Sequence, residues 1–196
     1  MIFNRRTFFG TMIAASFVGT SSFALTQKEA EKLIGRLSSD ILNAINNSSS
    51  DAERFRKFQQ VFARYADVPL IAQKALGPTW RDASDGQRNA YVDAFAGYMA
   101  RFYGRRFKEF IGSEIIVTGA DKAPGGFLVD STIKLQGSAP FDTQWHVISN
   151  GGKDRMYNMY IEGVSVLSDV RVQIGSMLDK SGGNIDRLTE TLKTAG

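Results

Sequence analysis

His146 is the sole histidine of the 196 residues, cysteine is absent, and the only serine motif suggestive of catalysis is Gly163-Val164-Ser165-Val166-Leu167, around Ser165. Acyl-transfer chemistry needs a nucleophile, a base and an orienting acid within hydrogen-bond reach of one another. A nucleophile elbow also carries a second glycine two residues after the serine, where Leu167 stands here. Ser165 therefore reads as the cap of the helix that follows it, and His146, on the strand face opposite Trp145, as an exposed or rim residue. One histidine without cysteine makes no zinc site, and no run of carboxylates has calcium spacing. Gly125-Gly126, Gly151-Gly152 and Gly182-Gly183 fit turns, and none leads into the Lys-Ser/Thr of a phosphate loop. These residues read as those of a non-enzyme without cofactor or metal.

The remaining polar signal is a basic cluster, Arg101, Arg105, Arg106 and Lys108, at the end of a long amphipathic run. Cations there complement the helix C-terminal dipole. The alternative is an anionic partner, either a lipid phosphate or the surface of a membrane complex.

The segment Asn4 to Thr26 explains where such a chain would work. Arg5 and Arg6 precede an uncharged stretch from Thr7 to Phe23 that closes on Ser22-Phe23-Ala24, the pattern of a secretory signal peptide. Gly10, Thr11, Ser16, Gly19, Thr20, Ser21 and Ser22 dilute it too far for a membrane span. Residues 1–24 are thus expected to be a leader, twin-arginine-like or Sec-dependent, and residues 25–196 one domain that is soluble in a bacterial periplasm. The net charge of +4 falls by the two leader arginines, too balanced for nucleic acid. Without cysteine no disulfide staples the fold, so packing alone must hold it.

Four elements of helical period come first. Residues 27–45 set Ala30, Leu33, Ile34, Leu37, Ile41, Leu42 and Ile45 on one face. A second helix follows from an N-cap at Asp51, with Phe55, Phe58, Phe62 and Tyr65 on one side. A short helix lies between Pro69 and Gly77-Pro78. Ser84 and Gln87 form a capping box for a helix expected to run through Phe110. After Gly112 the period becomes two, giving strands over 113–120, 125–136, 139–149 and 154–163, with a hairpin turn at Asn150-Gly151-Gly152-Lys153. Helical spacing returns through Val166, Val170, Ile174, Met177 and Leu178, and again through Ile185, Leu188 and Leu192. Helices, meander, helices is an α+β order: a curved antiparallel sheet of about four strands packed against a layer of helices. A single helix layer over such a sheet leaves a wedge lined by aromatic and branched side chains, which acyl chains could enter.

Two stretches, "ALGPTWRDASDGQRNAYVDAF" and "IEGVSVLSDVRVQIGSML", resemble the MlaC-type family, also called the toluene-tolerance or periplasmic phospholipid-binding family. The residues that carry the likeness are Leu76, Gly77, Trp80, Arg81, Ser84 and Gln87 in the first, and Glu162, Gly163, Val164, Ser165, Arg171 and Gln173 in the second. The likeness extends in order over nearly all of residues 27 to 193. It implies an NTF2-like-resembling fold and a carrier with a bound phospholipid as cargo, tails in a pocket between sheet and helices and head group at the mouth. It further implies an outer-membrane lipoprotein complex and an inner-membrane ABC transporter complex with a substrate-binding ring subunit as partners, and a monomeric shuttle between them.

The apolar positions of the long helix and the inward strand face are the expected lining: Phe95, Met99, Phe102, Ile133, Leu135, Trp145, Val147 and Tyr160, with Tyr65, Leu70 and Leu76 at the lip. An apolar slot selects shape more than chemistry, so a hopanoid or isoprenoid carrier is the first rival reading. A ligand-free interaction module with a filled core is the second, and a small NTF2-like enzyme the third.

Overall fold

The computed structural model describes residues 25–196, so the expected leader lies outside the described residues. Helix α1 (Gln27–Asn46) starts at a capping box in which the Thr26 hydroxyl accepts from Glu29 N–H and the Glu29 carboxylate accepts from Thr26 N–H. Helix α2 (Asp51–Tyr65) is capped by Ser50, one residue before the expected Asp51. Helix α3 (Val68–Leu76) has Pro69 in its first turn and stops at Gly77, whose φ of 70° suits glycine. A single turn, α4 (Thr79–Asp82), leads to α5 (Asp85–Gly104), where the Ser84–Gln87 capping box forms as its spacing predicts.

Helix α5 ends at Gly104, and Phe107–Phe110 form a separate 3-10 turn, so the long helix is shorter than its apolar period suggests. Gly104 is required by packing: a Cβ there would lie 2.3 Å from Cδ1 of Phe55 on α2. The sheet follows as a meander, β1 (Glu114–Ala123), β2 (Gly126–Lys134), β3 (Phe141–Asn150) and β4 (Lys153–Ile161), and a two-residue β5 (Val164–Ser165) pairs with β4. All pairings are antiparallel in the order β1-β2-β3-β4-β5. Helix α6 (Val166–Lys180) leaves β5 directly, and α7 (Ile185–Thr194) closes the chain.

Buried and half-buried side chains alternate along β2, so Phe127, Val129, Ser131 and Ile133 face inward, opposite Val147, Trp145, Thr143 and Phe141 of β3. β4 departs from simple alternation. His146 pairs with Asn158 and Val147 with Met156, which leaves Tyr157 as the extra residue of a β-bulge. Met156 and Met159 consequently both join the inward face, and Tyr160 does not.

The helices cover one face of the sheet, with α1 against β1, β2 and β4, and α3 and α6 against β4. They are not a single layer. Helix α5 packs on α2, α3 and α7, behind the helices that meet the strands. Tyr91, Phe95 and Tyr98, all fully buried, fill that helix-helix layer. Arg101 and Arg105 are used internally: Arg101 Nε donates to the Ala195 carbonyl at 2.8 Å, and Arg105 donates to the carbonyl of Gly196, so both guanidiniums satisfy the C-terminal end of α7.

Candidate functional site

An apolar cavity of about 380 Å³ lies between the sheet and α1, α2 and α5. Leu37, Ile41 and Ile45 line it from α1, Phe58, Val61 and Phe62 from α2, and Met99 and Tyr103 from α5. Ile133, Trp145, Met156 and Met159 form the sheet wall. The volume falls in the ordinary range of small-ligand sites, about 300–1,000 Å³. Arg106, Glu109 and Asn158 are the polar or charged residues of the lining beside the two half-buried tyrosines and Trp145. Arg106 and Glu109 are exposed, and with half-buried Phe110 and exposed Ile161 they mark the mouth.

The wall is apolar because its polar atoms are spent elsewhere. Trp145 Nε1–H donates to Ser131 Oγ at 2.8 Å, and Ser131 Oγ stands 2.7 Å from Thr143 Oγ1. A buried indole N–H without a partner would cost roughly 1–3 kcal/mol; satisfied within the sheet, the ring offers hydrocarbon to the cavity. Burial pushes the Tyr103 phenol up to about 12, so it stays neutral at any physiological pH. Arg155 of β4 donates to the carbonyls of Ala63 and Ala66, tying the C-terminus of α2 to the sheet and holding the cavity's edge.

Of the expected lining, Met99, Ile133, Leu135 and Trp145 meet in this cavity. Leu70 and Tyr160 line a second, open cleft that shares Tyr157, Asn158 and Leu167 with it. The bulge at Tyr157 turns Tyr160 to that side. Phe95, Leu76 and Val147 are buried in the core away from the cavity. Phe102 packs on Tyr98 and Tyr103, with ring centroids 5.6 and 5.2 Å apart, and Tyr65 ties α2 to α1 by donating to Asp40 Oδ2 at 2.7 Å. The stripes of α1 and α2 were visible in the sequence at helical spacing, yet nothing in that spacing says that they face a void rather than packed core.

His146 is buried, not at a rim. The bulged Tyr157 ring covers it at 4.6 Å, and its Nε2 is 3.0 Å from the Pro124 carbonyl, an arrangement that puts the proton on Nε2. Nδ1 is buried without a partner. Burial therefore holds the imidazole below its ordinary pKa of 6.5. Above about pH 6.5 both folded and unfolded chains carry it neutral; below, the unfolded chain takes up a proton that the folded one resists, and stability falls. Thermal melting at pH 7.5 and 5.5 checks this: the chain is expected to lose more stability over that interval than His146→Gln, and equal losses would refute it.

Ser165 has no base beside it. Its hydroxyl accepts from Asn158 Nδ2 at 3.1 Å and from Ser168 N–H at 3.2 Å, the helix-cap role that its sequence context indicates. Among the described residues no three His, Asp or Glu side chains cluster as metal ligands, and no helix is long and apolar enough to cross a membrane.

An α+β domain whose open antiparallel sheet and helices flank an apolar cavity defines a class of binding proteins with apolar interiors. The chain belongs to the MlaC protein family, whose model matches residues 35–194. Among solved structures it is similar to a phospholipid-binding protein from Ralstonia solanacearum determined in complex with a phospholipid. The two share 19% identity and a TM-score of 0.71 over 83% of this chain and 94% of that one, a likeness of fold.

Proposed function

We propose that this chain is a periplasmic carrier, not an enzyme, that takes the acyl chains of a glycerophospholipid into the cavity between sheet and helices. It would pass the lipid between an outer-membrane lipoprotein complex and an inner-membrane ABC transporter with a ring-shaped substrate-binding subunit. The observation that carries the reading is the apolar cavity in an MlaC-family fold. That the structurally similar Ralstonia protein was determined with a phospholipid supports it.

Hydrocarbon transfer supplies the affinity. Each CH₂ moved from water into an apolar site contributes about 0.8 kcal/mol, so one acyl chain needs no directional contact to be held. Release is the harder step, and it requires a partner that prefers a conformation with the cavity collapsed or open, because binding shifts a population only through differential affinity.

Native mass spectrometry of the chain purified from a bacterial periplasm tests the assignment. The expected bound mass is that of a diacyl glycerophospholipid. A hopanoid or isoprenoid mass would reassign the cargo, and an unliganded protein with no lipid in organic extracts would overturn the carrier reading.

A further inference from the structure

The second cleft, about 750 Å³ and open to solvent, differs chemically from the acyl cavity. Lys74, Arg81 and Arg171 line it, and no Asp or Glu does. None of the three forms an ion pair among the described residues. Lys74 Nζ stands 5.8 Å from the centroid of the Tyr157 ring, and the Arg171 guanidinium lies along Gly77, where a Cβ would meet Nη2 at 3.5 Å. Ser168 and Tyr160 add hydroxyl donors to the same wall. The 15-residue helix α6 also begins here, with its positive dipole end at Ser165.

Most protein surfaces intersperse charges of both signs; three like charges on one concave, acid-free wall focus a positive potential into it. Arginine's planar fork matches two oxygens of a phosphate, and lysine adds a point charge. Gly77, Arg81, Ser165 and Arg171, which come from the two stretches that carry the family resemblance, meet at this cleft and not in the acyl cavity. The two voids adjoin through Tyr157, Asn158 and Leu167.

We propose that this cleft is a binding site for a phosphate-bearing group, and, resting on the carrier reading above, that the group is the phosphate of a lipid whose chains occupy the adjoining cavity. The test compares Lys74→Gln/Arg171→Gln with a control pair on the exposed side of α1, Lys32→Gln/Arg36→Gln. Inorganic phosphate binding is measured by calorimetry on the full chain. Uptake of phosphatidylglycerol, and of diacylglycerol with the same chains, is measured from vesicles.

The cleft pair is expected to weaken phosphate at least tenfold and to abolish the preference for phosphatidylglycerol over diacylglycerol, with diacylglycerol uptake unchanged and the control pair unaffected. Weakened phosphate with an intact lipid preference would keep the site but make its ligand a soluble phosphate compound. Failure to take up either lipid, with phosphate still bound and lost in the cleft pair, would remove the carrier reading and leave the anion site standing. Phosphate and lipid both indifferent to the cleft pair would overturn the proposal, as would binding of poly-glutamate without any response to phosphate, which would make the cleft a protein-docking face.

Discussion

Ile41→Trp and Leu135→Trp are each expected to weaken phospholipid binding roughly fifty-fold while the chain folds as before. Both residues are half-buried and line the cavity from opposite sides, Ile41 on α1 and Leu135 just past the end of β2. An indole at either position has empty volume to turn into, so it need not displace packed neighbours. Excluding the room of about three methylenes, at about 0.8 kcal/mol each, removes about 2.4 kcal/mol of transfer free energy, which is a factor of about fifty in affinity. Val147→Trp makes the contrast. Val147 is fully buried and paired with Phe127 and Met156, so the added volume there has nowhere to go and is expected to cost folding instead of binding. Lipid loading by mass spectrometry beside a urea titration separates the two effects. Normal loading in both Ile41→Trp and Leu135→Trp would show that hydrocarbon does not enter this cavity.

Locally encoded features were legible in the sequence. The Ser84–Gln87 capping box, the turn through Gly151 and Gly152, and the alternation along β2 each depend on neighbours within a few residues, and the α+β order follows from where the period changes. Features decided by tertiary partners were not. The aromatic stripe of α5 correctly announces burial, but the same stripe serves equally for a sheet or for other helices; it meets α2, α3 and α7, so Phe95 and Phe102 lie outside the cavity. The bulge at Tyr157 inserts one residue and reverses the facing of everything after it, because a strand's side chains have a period of two. That single event sends Tyr160 to the basic cleft, brings Met159 to the cavity, and folds Tyr157 over His146, a residue that alternation alone leaves exposed.

The bulge also explains why Asn158 should be the most sensitive polar residue of the site. Buried in β4 directly after Tyr157, its Oδ1 accepts from the backbone N–H of Met159 at 2.9 Å and of Leu167 at 3.1 Å, while Nδ2 donates to Ser165 Oγ at 3.1 Å. Leu167 N–H belongs to the first turn of α6, where intrahelical partners do not exist. Ser165 serves the next such group, the N–H of Ser168, so the two side chains together close the helix start against the sheet. Asn158→Ala removes the acceptor of two backbone donors and the donor to a third group. With about 1–3 kcal/mol for each buried group left unpaired, the expected loss is about 3 kcal/mol, and for a domain of this size a fall in melting temperature of about 6–12 °C. Asn158→Asp keeps both acceptor bonds, and Ser165 can donate its hydroxyl to the new carboxylate, so it is expected to retain more than half of that stability. Since Asn158 and Leu167 stand between the acyl cavity and the basic cleft, the alanine variant is also expected to release bound lipid to acceptor vesicles several-fold faster. Equal melting temperatures for the alanine variant and the unaltered chain would mean that the β5–α6 junction is held by packing alone, and that the partition between the two voids does not depend on this amide.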